Sequence, residues 1–275
     1  MSQPSPVQTT MSASPGTAPA GTIDNPGLAS VKSRLAASAL TPGLLALFVA
    51  TLSTVRAPVS GDSAADADAI IATGGSTAGV QTLTTTSLDG VIGDDLMRVA
   101  RNLTFTFSSS TDWDATTITV VGKGAGGEYL TETFAVPNNG NQTVTGNALF
   151  SQVDSVSVPA QTGTGGTFTM GVGSKLGPID AAAAGVVALE NTRAAAAYAL
   201  GEVAPIVRQG RVRVTSETAV TEGGDAYVRL VASGDEVYGA FRATPDSTDC
   251  ARLVRAKWAQ TTAAAGAALL DINLP

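Results

Sequence analysis

Between Arg101 and Gly173 the chain alternates apolar and polar residues with a period of two. RNLTFTF sets Leu103, Phe105 and Phe107 against Asn102, Thr104 and Thr106, and TTITVV, EYLTETFAV, QVDSVSV and TFTMGVG repeat the pattern at short intervals. Successive side chains of a strand point to opposite faces, so this alternation predicts half-buried strands. Turn-forming clusters separate them: SSSTDWD, GKGAGGE, VPNNGNQ and TGTGG. Short strands at this spacing, with no helix between them, predict an antiparallel β-sandwich of immunoglobulin-like type. It lacks the paired cysteines of antibody domains.

The flanks are less regular. Residues 1–20 are uncharged Ser, Thr, Pro, Gln and Ala (with Met, Val and Gly), which cannot bury enough apolar surface to fold alone. They read as a flexible N-terminal arm, either free or ordered on a neighbouring subunit. Asp24-Asn25-Pro26-Gly27 is turn chemistry, Leu28–Ala39 reads as a short irregular or helical piece, and Thr41-Pro42-Gly43 is a second turn. Leu44–Val49 then reads as a buried strand. The uncharged stretch Leu35–Val55, preceded by Lys32 and Arg34, resembles a weak membrane span, but Pro42-Gly43 breaks it and Ser and Thr punctuate it. Residues 56–79 are rich in Ala, Asp and Gly and read as a linker or loose strand.

From Ile179 to Leu200 the alanine-rich string invites a helix, yet Gly185, Val186-Val187 and Asn191-Thr192 weaken it, and local pattern leaves the segment undecided. After Gly201 strands resume as APIV, RVRV, AYVRL, YGAFRA and ALLDINL. Turns are expected at Gln209-Gly210, Glu222-Gly223-Gly224 and Ser233-Gly234-Asp235. In RVRV, Val212 and Val214 take one face and Arg211 and Arg213 the other. Arginines on the outer face of a sheet suit contacts with another protein, which makes Arg208, Arg211, Arg213, Arg229, Arg242 and Trp258 the candidate protein-interface residues.

Composition narrows the chemistry. At 275 residues, two domains are expected, and 44% hydrophobic residues suffice for a core. The absence of His and the single Cys, Cys250, remove His-based acid–base work, the usual nucleophilic triads and most zinc sites. Cys250 reads as a small packing residue. A net charge of −7 argues against nucleic acid, because neutralising phosphates needs a basic face. Gly122–Gly127 lacks the spacing of a phosphate loop and reads as a hairpin turn. Asp62, Asp66 and Asp68 lack the Gly and terminal Glu of a calcium loop and read as a solvated acidic loop, and Asp112 and Asp114 read as solvated loop charges. Asn102 and Asn141 match the glycosylation pattern without a secretion signal, and Trp113 reads as a loop-packing anchor, partly exposed. No catalytic, cofactor or metal site is expected, and no enzyme.

The C-terminal block resembles the capsid cement, or decoration, proteins of tailed bacteriophages. The resemblance rests on an ordered series: Pro205-Ile206-Val207, Gly210-Arg211, Ala219-Val220, Gly224-Asp225 to Tyr227-Val228-Arg229, Gly239-Ala240-Phe241-Arg242, Ala256-Lys257-Trp258, and an Ala/Gly run into Leu269–Leu274. GTIDNPGLASVKSR followed by LTPGLLALFV looks like the start of such proteins, and the middle stretch resembles a second phage head or decoration domain. The resemblance implies strand and loop, not helix, over Gly185–Arg193.

It further implies an all-β chain in which a small cement-type β-barrel or β-sandwich domain (21–55 and 178–275) is split in sequence by an inserted immunoglobulin-like β-sandwich (56–177). The implied role is structural. A homotrimer on the outer capsid surface of the virion, made in the bacterial cytoplasm, bridges major capsid protein subunits against internal DNA pressure. No nucleic acid, membrane or cofactor is implied as a partner. The alternatives are an adhesion module whose inserted sandwich binds host-surface glycans, or another phage structural protein such as a tail-tube or head-fibre subunit.

Overall fold

The computed structural model describes residues 18–49, 53–62, 64–93, 97, 99–108, 111–138, 141–190, 197–232, 236–246 and 249–275. Most of the N-terminal arm and the Ser233-Gly234-Asp235 turn lie outside these residues. Strand accounts for 51% of the chain and no described segment is α-helical, so the fold is all-β. The first strands are β1 (Ser30–Ala36), β2 (Leu45–Phe48) and β3 (Thr54–Arg56). The middle of the chain supplies β4 (Asp66–Gly75), β5 (Gln81–Leu83), β6 (Arg101–Phe107), β7 (Thr117–Gly124), β8 (Tyr129–Ala135), β9 (Thr143–Thr145), β10 (Phe150–Val158) and β11 (Thr167–Leu176). The last are β12 (Ala183–Val187), β13 (Val203–Ser216), β14 (Asp225–Arg229), β15 (Phe241–Arg242), β16 (Cys250–Trp258) and β17 (Gly266–Asn273).

Hydrogen bonding sorts these strands into two sets. β4–β11 pair only among themselves, in the order β4-β11-β6-β10-β7-β8 with β5 and β9 alongside. This sheet turns back on itself, because Phe105 of β6 meets Phe134 of β8 at 4.8 Å between ring centroids although their strands are not neighbours. The alternation read in RNLTFTF holds: Leu103, Phe105 and Phe107 are buried in the enclosed core with Ile118, Val120, Val153 and Phe168. Trp113 is in that core too, edge-on to Phe107 at 5.1 Å, and is fully buried rather than partly exposed. Within the linker or loose strand expected over 56–79 lies a ten-residue strand, β4, whose pairing with β11 shifts register twice and whose Ala69, Ile70 and Ile71 enter the same core.

The two ends of the chain form the other sheet. β1, β3, β2, β12 and β13 close a ring, and β13, β15, β14, β16 and β17 close a second, so β13 belongs to both. Its first half pairs with β1 and β12, and its second half with β17. The turn expected at Gln209-Gly210 is therefore a correction: the strand runs through it for 14 residues. Gly210 sits where β13 changes partners, at φ +113 and with Ala29 atoms 3.0–3.1 Å from where a Cβ would stand. Leu28–Ala39 is likewise corrected, since Pro26–Leu28 is a single 3-10 turn and β1 follows. Few of its residues favour strands; pairing to β13 and β3 makes it one.

The alanine-rich ambiguity resolves as strand over β12 and irregular chain through Glu190, with residues 191–196 outside the described ones. Gly185 permits this at φ +138, and a Cβ there would lie 2.2 Å from the Val207 carbonyl oxygen. The apolar stretch Leu44–Val49 is a buried strand as read, and among the described residues no helix is long and apolar enough to cross a membrane. The smaller ring encloses Ala36, Leu40, Ala46, Val55, Tyr198, Ala204 and Ile206. The larger encloses Val212, Val214, Val228, Phe241, Leu253, Trp258 and Leu270, and Leu45, Leu47, Val186 and Val207 join it from the outer face of the smaller.

Buried polar groups tie the strand sets where the chain passes between them. Arg56 at the end of β3 forms a two-pronged ion pair with Asp62, 2.7 Å at Nη1, so Asp62 is a buried partner and not a solvated loop charge. Arg101 donates to the carbonyls of Asp62, Ala64 and Gly173, and burial pulls its pKa down to about 10. Asn102, a glycosylation-type asparagine, is buried and hydrogen-bonded to Gly146 and Lys175, which leaves its amide no room for a sugar.

Candidate protein-contact surface

The arginines singled out in the sequence divide by position. Arg229 on β14 is fully buried. Its Nε donates to both oxygens of Glu217 at 2.8 Å, and its Nη2 lies 2.9 Å from both Asp246 and Glu236. Arg242, across the β14–β15 pair, reaches the same three carboxylates at 2.9–3.4 Å. Burial opposes the Arg229 charge, but the hydrogen bonds that Arg229 donates to Asp246 and Glu217 outweigh it and hold the guanidinium above its ordinary pKa. Trp258 is buried edge-on to Phe241 at 6.5 Å. Arg229 and Trp258 thus hold the larger barrel together, with Arg242 largely enclosed beside them. Cys250 is buried nearby, and burial pushes its thiol pKa up, as a packing residue requires.

The network has an acid-labile side. The hydrogen bond from Arg229, followed by the Arg242 charge, holds the Asp246 carboxyl below its ordinary 3.8. A carboxyl whose folded pKa is depressed stabilises fully above its unfolded value and loses that contribution as pH falls through the folded one. Asp246→Asn is therefore expected to flatten the fall in melting temperature below about pH 4. An acid limb identical to that of the parent chain would contradict this.

The other arginines lie on the shared strand. Arg211 is half-exposed, 3.6 Å from Asp271, beside an open cleft of about 360 Å³ lined by Asp24, Asn25, Leu28 and Gly210. Arg213 faces the same side by strand alternation but is buried, and residues 21–24 run beside it. The Gly21 amide donates to the Arg213 carbonyl at 2.7 Å, and the Arg213 amide to that of Thr22 at 2.9 Å. Arg208 is half-buried, donates to the Ala184 carbonyl at 3.1 Å and lies over the Phe48 ring, 5.2 Å from its centroid. Arg34 of β1 reaches the same ring at 5.9 Å.

Exposed apolar side chains lie alongside. Leu35 and Val203 are register partners on β1 and β13, 45% and 58% exposed, and the exposed Val31 lies on the same face of β1 as Leu35. Arg34, Phe48 and this band were not selected from sequence. The one available signal was Lys32 and Arg34 flanking an apolar stretch, and the partner strand that gives them a face lies far along the chain.

The family model for structural cement protein (E217 gp24/Pam3 gp6) matches residues 119–273. The chain belongs to that family. The match runs from within β7 to the end of β17 and so takes in strands of both sheets. No curated protein matches the chain. A structural cement protein of a phage has a capsid role: it is a component of the virion that interacts with capsid proteins. Membership of a structural cement family suggests a structural, non-enzymatic protein.

Proposed function

We propose that this protein is a decoration protein on the outer face of a tailed-phage capsid, where it bridges major capsid protein subunits as a homotrimer and stabilises the shell against DNA pressure. In this reading the paired barrels form one cement domain, split in sequence, and the sandwich of immunoglobulin-like type inserted between its halves points outward. The observation that carries it is the exposed apolar band of Val31, Leu35 and Val203 on two strands of a closed barrel. Exposed apolar side chains grouped on one face of a rigid sheet suit protein contact. Closed cyclic symmetry and several modest contacts per trimer add up through effective concentration.

Leu35→Asp tests the band. Its side chain is exposed, so folding stability should change by no more than about 0.5 kcal/mol. Attachment to particles lacking the protein, followed by co-sedimentation, should be lost. Full attachment of a folded Leu35→Asp chain would remove the band from the interface. Particles stripped of the protein should also release DNA at lower temperature than decorated ones, and identical release would count against the stabilising role.

A further inference from the structure

Arg34 and Arg208 differ from five of the chain's arginines. Arg56, Arg211, Arg229, Arg242 and Arg252 each have a carboxylate partner. Arg34 and Arg208 have none among the described residues, and both converge on Phe48. Phe48 packs against the core of the smaller barrel at its rim, so the two guanidiniums are held at the barrel's edge. Lys32 precedes Arg34 by two residues on β1 and shares its face. Burial, followed by the nearby Arg34 charge, lowers the Arg208 pKa, so the pair is held together against its own repulsion. The ring face attracts both cations and holds them near one another, and planar guanidiniums bind carboxylates through two parallel hydrogen bonds. A carboxylate arriving between them would relieve that repulsion and find donors of both guanidiniums at one place.

We propose that Arg34, Phe48 and Arg208, with Lys32 beside them, form a receptor for an acidic peptide segment of the shell subunit to which this protein attaches. The inference rests on the capsid-contact reading above and names the chemistry of the partner. The occupant is an acidic protein segment and not DNA, because two guanidiniums on one ring suit one or two carboxylates, while a chain of net charge −7 disfavours the extended run of phosphate contacts that duplex DNA needs. The receptor lies on the opposite face of β1 from Val31 and Leu35, so one strand would present a charged and an apolar contact to the shell.

The experiment is co-sedimentation of the full chain with particles lacking it, across a series of salt concentrations. Wild-type attachment should weaken as salt rises, and the Arg34→Gln/Arg208→Gln double variant should bind at least about tenfold more weakly with a shallower salt dependence. Arg255→Gln, on an exposed position of β16, should bind as wild type. Unchanged attachment of the folded double variant would overturn the proposal, as would salt-insensitive attachment of wild type. Should the double variant not fold, a short polyglutamate peptide titrated into wild type should shift the methyl resonances of Val55 and Ile206; no shift would overturn it. Displacement of the chain from particles by duplex DNA, but not by polyglutamate, would reassign the patch to nucleic acid and also overturn it. Failure of wild type to bind particles at all would sink the capsid-contact reading itself, an outcome distinct from those above.

Discussion

Replacing Arg229 by methionine is expected to destabilise the chain by about 3–5 kcal/mol, because it removes the one fully buried partner of three carboxylates. Glu217 would be left enclosed with only Arg242, whose contact to it is the longest of its three at 3.4 Å. The cost is that of an uncompensated buried charge, and it should shrink when the charge is removed too. Arg229→Met/Glu217→Gln should therefore recover part of the loss. Urea unfolding measures both. A loss below about 1 kcal/mol for the single variant would mean that water compensates the carboxylates and that the network is not a support of the barrel.

Phe105→Ala should cost a comparable ~3–5 kcal/mol, in a different part of the molecule. Phe105 is fully buried and its ring lies within 4.8–6.1 Å of Phe134, Phe168 and Phe107. Its loss opens a cavity in the middle of the sandwich. The chain's two tryptophans make the effect separable, since Trp113 lies in the sandwich core and Trp258 in the barrel core. If the sandwich is an inserted unit, Phe105→Ala should lower the transition seen by Trp113 fluorescence in a Trp258→Phe background. In a Trp113→Phe background, the transition seen by Trp258 should stay where it is without Phe105→Ala. A single shared transition that moves as a whole would show that the strand sets fold as one unit.

What could be read from the sequence follows from how locally each element is determined. RNLTFTF is a strand on any account, since alternation alone specifies which face is buried, and β6, β7, β8, β10 and β11 all fall where the pattern puts them. β1 could not be read in that way. SVKSRLA shows no clean alternation, and its strand state comes from β13, whose residues lie more than a hundred positions away. The same distance explains Gly210. Gln-Gly has the composition of a turn, yet here it is the point at which one long strand leaves one barrel and enters another.

The arginines show the limit most clearly. Strand spacing identified Arg211 and Arg229 as outward-facing candidates alike, but exposure depends on what covers the sheet. Three acidic residues from neighbouring loops enclose Arg229, while Arg211 stays half-exposed. The pairing of Arg34 with Arg208 over Phe48 needs three strands brought together, and no window of sequence contains them.

The central claim is best tested by a reconstruction of the assembled particle by electron microscopy. The account predicts this chain on the outer capsid surface at threefold junctions between capsomers, as three copies, with β1 against the shell and the sandwich projecting away. Density for the chain confined to the tail would contradict it.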